Sequence, residues 1–427
     1  MTMSYREEFR RGWRGLSAAS IGLISGYTIN LYVANVFAPH LIAEFGWEKS
    51  HFAFIGTLSL FGMAIIPIVG RLTDLFGVRV MVAIGVTVTP IMYLALASMN
   101  GDFSWFIVLS LLQLMTGAVT SSLVYSRLIA QSFVRSRGKA LAIAASAAPA
   151  AGAIIIGPLS GLIDDFGWRA GYIAMAAATG LGGAITFLLL PRTEKARPAA
   201  TAVPSRKWDV YREIVKEPAF RYIAGGMLLC NLTVMVQATQ LQILLLDRGL
   251  SPGVATQMLS LYAIGVVVGR LSCGLALDRF PTPIVSAITM GAPCIGLALL
   301  GFGFASPGVA AFAVLTIGLA MGAELDVLAF IIMRYFKVEI YSTVYGIIQP
   351  CIGISQALGS AILGVTLVMT GNFSLFLGLS AVLTLIGSVL FLNLRGCEPD
   401  RVAMRAGDLE HRGAGPSRGS QPDVSGS

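Results

Sequence analysis

Gly70-Arg-Leu-Thr-Asp74-Leu-Phe-Gly77-Val-Arg79 closes one long apolar run, and Gly274-Leu-Ala-Leu-Asp278-Arg279 closes another at an offset of 204 residues. Two further pairs keep step: Phe133 with Phe336 and Gly161 with Gly364, each 203 apart. One period carried across otherwise dissimilar sequence marks a duplicated unit. The chemistry of the motif suits helices in close approach. Glycine lets helices approach, and a carboxylate such as Asp74 can accept from a helix N-terminus and pair with a nearby arginine. The alternative is a carboxylate and an arginine merely solvated in a loop.

The rest of the 427 residues identifies the solvent. Hydrophobic residues make up 56% and charged residues 12%, the latter about half the share found in soluble domains, and the mean hydropathy is +0.77. Such a chain cannot cover itself with polar surface. That excludes a water-soluble enzyme, a nucleic-acid binder and a disordered protein as readings of the whole. The net charge of +8 is no nucleic-acid signature, because the basic residues lie between apolar runs and not on one face. Cys230, Cys273, Cys294, Cys351 and Cys397 are isolated and read as small apolar fillers, and His40, His51 and His411 form no metal motif.

A helix needs roughly 20 apolar residues to cross the hydrocarbon. On that ruler the chain has twelve spans: about 16–38, 51–70, 80–99, 104–127, 140–162, 171–190, 222–246, 254–277, 283–304, 309–333, 341–369 and 373–394. The first run follows Arg6, Arg10, Arg11 and Arg14 as a signal peptide's core would, but it is too long to be cleaved and reads as an anchor. The chain therefore divides into an N-terminal arm (1–15), a six-helix bundle (16–190), a central loop (191–221), a second six-helix bundle (222–395) and a disordered tail (396–427). In the central loop Trp208, Tyr211, Ile214 and Val215 recur at helical spacing, which predicts a short amphipathic helix on the membrane surface ended by Pro218. Of the 30 Lys and Arg, 25 lie in the arm, the even-numbered loops and the tail, and only Lys49, Arg169 and Arg248 lie in the odd-numbered loops. This asymmetry places both termini in the cytoplasm.

Two six-helix halves related by an axis along the membrane normal form a transporter architecture, with substrate near the midplane. The segment Gly70 to Arg79 resembles the signature between helices 2 and 3 of the major facilitator superfamily. It departs at Leu75 and Val78, where that family often has further basic residues, and the second copy lacks the later glycine. The resemblance covers roughly residues 15–395. It implies an all-α membrane protein of twelve transmembrane helices in two pseudo-symmetric bundles. It also implies that Gly70, Asp74, Gly77, Arg79, Gly274, Asp278 and Arg279 form a cytoplasmic latch that holds the outward-open state.

Ionisable groups are costly inside hydrocarbon unless paired or facing a water-filled cavity, so they are the first candidates for function. Arg270 lies eight residues before Asp278, about 12 Å inward along a helix, farther than its side chain comfortably snorkels. Gly265-Val-Val-Val-Gly-Arg270-Leu-Ser-Cys-Gly274 resembles the helix 8 arginine region of the monocarboxylate transporters and the bacterial oxalate–formate exchangers. That resemblance implies contact with a substrate carboxylate, and a guanidinium fork suits one. The alternative is a structural pair with an acid of span 10. Glu324 and Asp326 stand there two residues apart, about 200° around a helix, so both cannot face one cavity. Burial favours the neutral form of a carboxyl and a nearby cation favours the charged form, so either one could carry a transported proton while the other pairs structurally. Arg127, beside Tyr125 and Ser126, reads as snorkelling to the headgroups, with a secondary anion contact as the alternative. Polar faces on Thr28, Tyr32 and Asn35, on Thr233, Gln237 and Gln240, and on Gln113, Thr116 and Thr120 mark cavity walls or helix–helix contacts.

Spans 1 and 11 contain no lysine, whereas animal monocarboxylate transporters carry one in the first and oxalate exchangers place a second cation in the eleventh; one cation fits a single carboxylate. The expected function is secondary active transport of an organic monocarboxylate across a bacterial inner membrane by alternating access with proton symport. The chain is expected to act as a monomer in lipid, as no enzyme, with no cofactor, metal or nucleic acid. The rivals are a drug or metabolite exporter, for which Gly157-Pro158 offers an incomplete antiporter motif, and a membrane-embedded enzyme, for which Asp164-Asp165 offers no second acidic cluster.

Overall fold

The computed structural model describes residues 5–133, 136–191, 208–302, 306–336 and 340–397, with the side chains of a few helical positions, Asp74 among them, outside that description. The expected tail from 398 onward and the loop 192–207 also lie outside the described residues. Among the described residues all regular structure is helical. The first six spans are α1 (Tyr5–Ser25) with α2 (Asn30–Phe45), α3 (Lys49–Ile55) with α4 (Ser59–Phe76), α5 (Val78–Ala97), α6 (Phe103–Gly117) with α7 (Ser122–Ser132), α8 (Arg137–Phe166) and α9 (Trp168–Leu189). The surface helix α10 (Trp208–Lys216) follows, directly before Pro218, where the amphipathic pattern placed it. The second set is α11 (Pro218–Cys230), α12 (Val234–Thr239) and α13 (Leu241–Asp247) as one broken span, then α14 (Pro252–Arg279), α15 (Thr282–Gly291) with α16 (Pro293–Gly301), α17 (Pro307–Tyr335), α18 (Tyr341–Thr370) and α19 (Ser374–Leu392).

Among the described residues ten helical stretches are each long and apolar enough to cross a bilayer, and the pair α1 and α2, bent by 51° at Gly26, makes eleven. The remaining span, α3 with α4, is interrupted by a 3-10 turn at Gly56–Leu58. The first span runs well past its expected start. Its arm reaches span 5, where the buried Glu8 carboxylate accepts from the Ser136 backbone N–H at 2.9 Å and from its hydroxyl, capping the start of α8. The duplication is visible in the elements themselves: α8 and α18 are each 30 residues long and lie 204 apart at both ends. Spans 3, 6, 9 and 12 turn apolar side chains outward, among them Ile91, Leu181, Leu188, Ile288 and Val382, a surface suited to lipid.

The turn between α4 and α5 has one residue, Gly77, at φ +81, a conformation open to glycine and strained for other residues. The second half makes the equivalent turn differently, with Phe280 extended at φ −119 and Pro281 preceding α15, so the missing glycine has a structural replacement. Gly274 behaves otherwise than expected: a Cβ there meets nothing within 4 Å. Close helix approach occurs one to two turns earlier. A Cβ on Gly269 would lie 2.1 Å from the Leu319 carbonyl oxygen, and one on Gly322 would lie 2.0 Å from that of Val266. With Gly265 and Gly318 also in contact, spans 8 and 10 cross backbone to backbone over two glycine pairs.

The polar contacts tying the two halves together gather at the end away from residues 77–79. Lys49 pairs with Asp247, Asn35 binds the backbone of span 7, and the Ser160 and Thr256 hydroxyls lie 3.2 Å apart. At the other end Arg79 stacks on Phe187 of its own half, 4.8 Å from the ring centre, while Asp278 and Arg279 are exposed. The molecule is thus closed at the far end. Gly322→Ala should force spans 8 and 10 apart and cost about 1–3 kcal/mol of stability, whereas Gly274→Ala should cost almost nothing. Thermal unfolding of the two purified variants checks this contrast.

Candidate functional site

The glycine seam brings Arg270, the residue after Gly269, onto span 10. Its Nε donates to the Gly322 carbonyl at 3.4 Å and lies 4.0 Å from the Asp326 carboxylate. The arginine side chain is 13% exposed and the aspartate 41%, so Asp326 sits on the open side of the pair. The two terminal nitrogens of Arg270 make no hydrogen bond to a described residue, which leaves the outer edge of the fork uncommitted. Two residues earlier on α17, Glu324 is buried and turned elsewhere, as the 200° separation requires. Its polar neighbours are the Asn231 amide and, more remotely, Arg270.

Asn231 sits where α11 ends and a 3-10 turn begins, and its Nδ2 donates to the Met227 carbonyl at 2.9 Å. Its Oδ1 is buried without a partner. Tyr345 of span 11 lies within electrostatic reach of both carboxyls and accepts from Gln349 Nε2 at 2.8 Å. Span 1 approaches from the other half: Tyr32 is within electrostatic reach of Arg270, and its ring lies 6.4 Å from that of Tyr262. Tyr262 donates to Gln237 Oε1 at 3.4 Å, and Gln237 Nε2 donates to the Thr233 hydroxyl at 3.0 Å. Polar side chains from spans 1, 7, 8, 10 and 11 therefore gather between Arg270 and Tyr32.

Other expected site residues fall at its edge or away from it. Thr28 is half-buried in the 3-10 turn below the Gly26 bend. Asn35 is 2% exposed, and both ends of its amide are engaged by the span 7 backbone at 2.8 Å. Gln240 is 1% exposed with neither end of its amide bonded. On span 4, Thr116 and Thr120 return their hydroxyls to carbonyls of their own helix, and Thr120 also accepts from the Tyr27 N–H, so these threonines serve packing. Arg127 donates to the Gly70 carbonyl at 3.4 Å, which places it against the residue 70–79 segment and not beside Arg270. Asp164 is exposed and faces His40 at 3.6 Å.

The sequence reading missed the residues that position the site. Gly265-x-x-x-Gly269 and Gly318-x-x-x-Gly322 were available as a pair of small-residue spacings on two apolar helices. Asn231 and Tyr262 carry no spacing that sets them apart from helix–helix contacts.

Comparison with known proteins gives a consistent relationship. The Major Facilitator Superfamily description matches residues 19–360. Human monocarboxylate transporter 11 is 24% identical over 399 residues, covering 90% of this chain and 83% of that protein. Among solved structures, the nucleoside transporter NupG superimposes with a TM-score of 0.70 at 15% identity, covering 88% of this chain and 100% of its own. A D-xylose–proton symporter gives 0.68 at 14% identity, covering 91% and 97% respectively. At such identity these two structures speak for the fold.

The Glu324 environment has an energetic consequence. A buried carboxyl and a buried amide that depend on one another should show a coupling of about 1–3 kcal/mol. A double-mutant cycle of Asn231→Ala with Glu324→Ala, read by thermal unfolding, should find it. The same cycle with Asp326→Ala should be close to additive.

Proposed function

The chain belongs to the major facilitator superfamily, and on that premise we propose that it carries an organic monocarboxylate together with a proton across a bacterial inner membrane. The reading rests on one observation above the others: a half-buried arginine within a membrane span whose terminal nitrogens make no hydrogen bond to described residues. A guanidinium kept there offers two parallel donors to a carboxylate in a medium where such bonds are strong. Tyr32 of span 1 is within electrostatic reach of it, and Tyr262, two turns earlier on the arginine's own helix, meets the Tyr32 ring and bonds to Gln237; Thr28 and Gln240 complete the proposed substrate contacts. A site with one such fork and no second cation in spans 1 and 11 suits a single carboxylate.

The coupling follows from competition. Asp326 faces Arg270. Protonating Asp326 removes its claim on the guanidinium and also the repulsion it exerts on an arriving anion, so proton and substrate bind cooperatively. Cooperative binding of a cation and an anion from the same side is symport. Glu324, deeper and beside Asn231, holds spans 7 and 10 in register. The end joined by Lys49 and Asp247 is periplasmic in this reading, both termini are cytoplasmic, and the protein acts as a monomer. Gly70, Asp74, Gly77, Arg79, Gly274, Asp278 and Arg279 engage as the cytoplasmic latch when the molecule opens outward.

Arg270→Lys keeps the charge and loses the fork, so carboxylate affinity should fall about tenfold to hundredfold, and Arg270→Gln should lose more. Calorimetry on the purified protein checks this, and unchanged affinity in Arg270→Gln makes the arginine structural. In proteoliposomes with an imposed pH gradient, Asp326→Asn should abolish uphill accumulation while retaining substrate exchange. Glu324→Gln should retain both. The reverse pattern assigns the proton to Glu324.

A further inference from the structure

Span 7 is broken between α12 and α13. In a continuous helix the Leu241 N–H would donate to the carbonyl four residues back, that of Gln237. Here Gln240, at φ −130 and ψ 3, swings the chain out of helical geometry, while the flanking bonds survive: Gln240 N–H to Val236 at 2.9 Å and Leu244 N–H to Gln240 at 2.9 Å. The two groups separated by the break are both bonded to one side chain of the other half. Asn35 Nδ2 donates to the Gln237 carbonyl at 2.8 Å, and Asn35 Oδ1 accepts the Leu241 N–H at 2.8 Å. An amide from span 1 thus occupies the place of the missing rung in span 7. The site is dry, with Asn35 2%, Gln237 6% and Leu241 2% exposed.

We infer that Asn35 is a positioning residue, a clasp whose amide is inserted into the broken ladder of span 7 and holds the two halves together at the closed end. The arrangement has two self-consistent states. With the clasp engaged, the side-chain amide satisfies both backbone groups and the spans are joined. With it released, Leu241 can donate to Gln237 directly, so span 7 heals and no buried backbone group is stranded. Release therefore forfeits about one hydrogen bond in net terms, where an uncompensated break would strand two. A gate that must open and close in every cycle needs a difference of that size.

The neighbouring contacts are weaker holds. Lys49 and Asp247 form their pair with side chains 37% and 19% exposed, where screening by water leaves an ion pair little net worth. Ser160 and Thr256 are neutral hydroxyls at 3.2 Å. Engagement on both sides of its amide also removes Asn35 from the groups free to contact substrate in this state. The inference does not rest on the identity of the substrate.

Spin labels at Asp165 and Gln257, exposed positions on the ends of spans 5 and 8 beside the closure, report its opening in a chain whose five cysteines have been replaced. Pulsed EPR without substrate should give a predominantly short distance for the parent. Asn35→Ala and Asn35→Asp should each raise the long-distance fraction relative to the short one about tenfold, the worth of one buried hydrogen bond. At a pH where its carboxyl is ionised the aspartate can still accept from Leu241 but cannot donate to Gln237, so its shift there separates loss of the clasp from loss of volume. Lys49→Ala should shift the ratio less than threefold. Distance distributions of both Asn35 variants that superimpose on the parent overturn the inference, and so does a Lys49→Ala shift as large as theirs.

Discussion

Contact between the backbones of spans 8 and 10 is the constraint on which the site depends. In lipid the hydrophobic effect does not press helices together, so packing and backbone proximity must do so. Gly265 and Gly269 against Gly318 and Gly322 allow an approach that any side chain would block. The consequence is chemical as well as mechanical. Arg270 and the two acids of span 10 share a small volume only because the helices bearing them touch, and the Gly322 carbonyl becomes the partner of the guanidinium because no Cβ keeps the chains apart.

A second constraint is that every polar group within the bundle must find a partner or a purpose. Many hydroxyls solve this locally: Ser25, Thr73, Thr179 and Thr186 bond back to a carbonyl four residues earlier. The exceptions are concentrated in span 7, where Asn231 Oδ1 and both ends of the Gln240 amide are buried and unbonded. Span 7 is also the most interrupted helix, with a 3-10 turn at Asn231–Thr233 and the break at Gln240. Unmet hydrogen-bonding capacity and helix irregularity coincide in the element that faces both the acids and the other half, as expected of a segment with more than one arrangement to satisfy.

The outline of the fold could be read from hydropathy, charge asymmetry and the repeat of about 204 residues, because each is a property summed over many residues. Gly77 stood in the sequence only as a glycine of the motif; that it forms a one-residue turn at positive φ, where few alternatives to glycine exist, is a finding of the structure. The breaks in spans 1, 2, 4 and 7 were not legible, since apolar helices are interrupted there by tertiary packing, and no proline marks Gln240. At the site, Arg270, Glu324 and Asp326 stood out because charge inside a span is rare, and the structure brings all three together. Asn35 was visible only as one member of a polar face. Its actual partners, backbone groups 202 and 206 residues away, leave no trace in composition or spacing. Arg127 was read as a headgroup contact, and its bond to the Gly70 carbonyl adds a specific partner at the segment with which the sequence reading began.

The arm before the first span carries one further consequence. Glu8 caps the start of α8 from a position ahead of the first hydrocarbon-spanning residues, so the beginning of span 5 is completed by residues that a count of spans would treat as expendable. A shortened protein beginning at the first apolar run would keep all twelve spans and still take the Glu8 carboxylate from the Ser136 N–H and hydroxyl at the head of the fifth. Span 5 is also the helix whose other end meets Thr256 of the second half. Tags, truncations or processing at the amino terminus therefore act on the start of a helix whose other end lies at the contact between the halves.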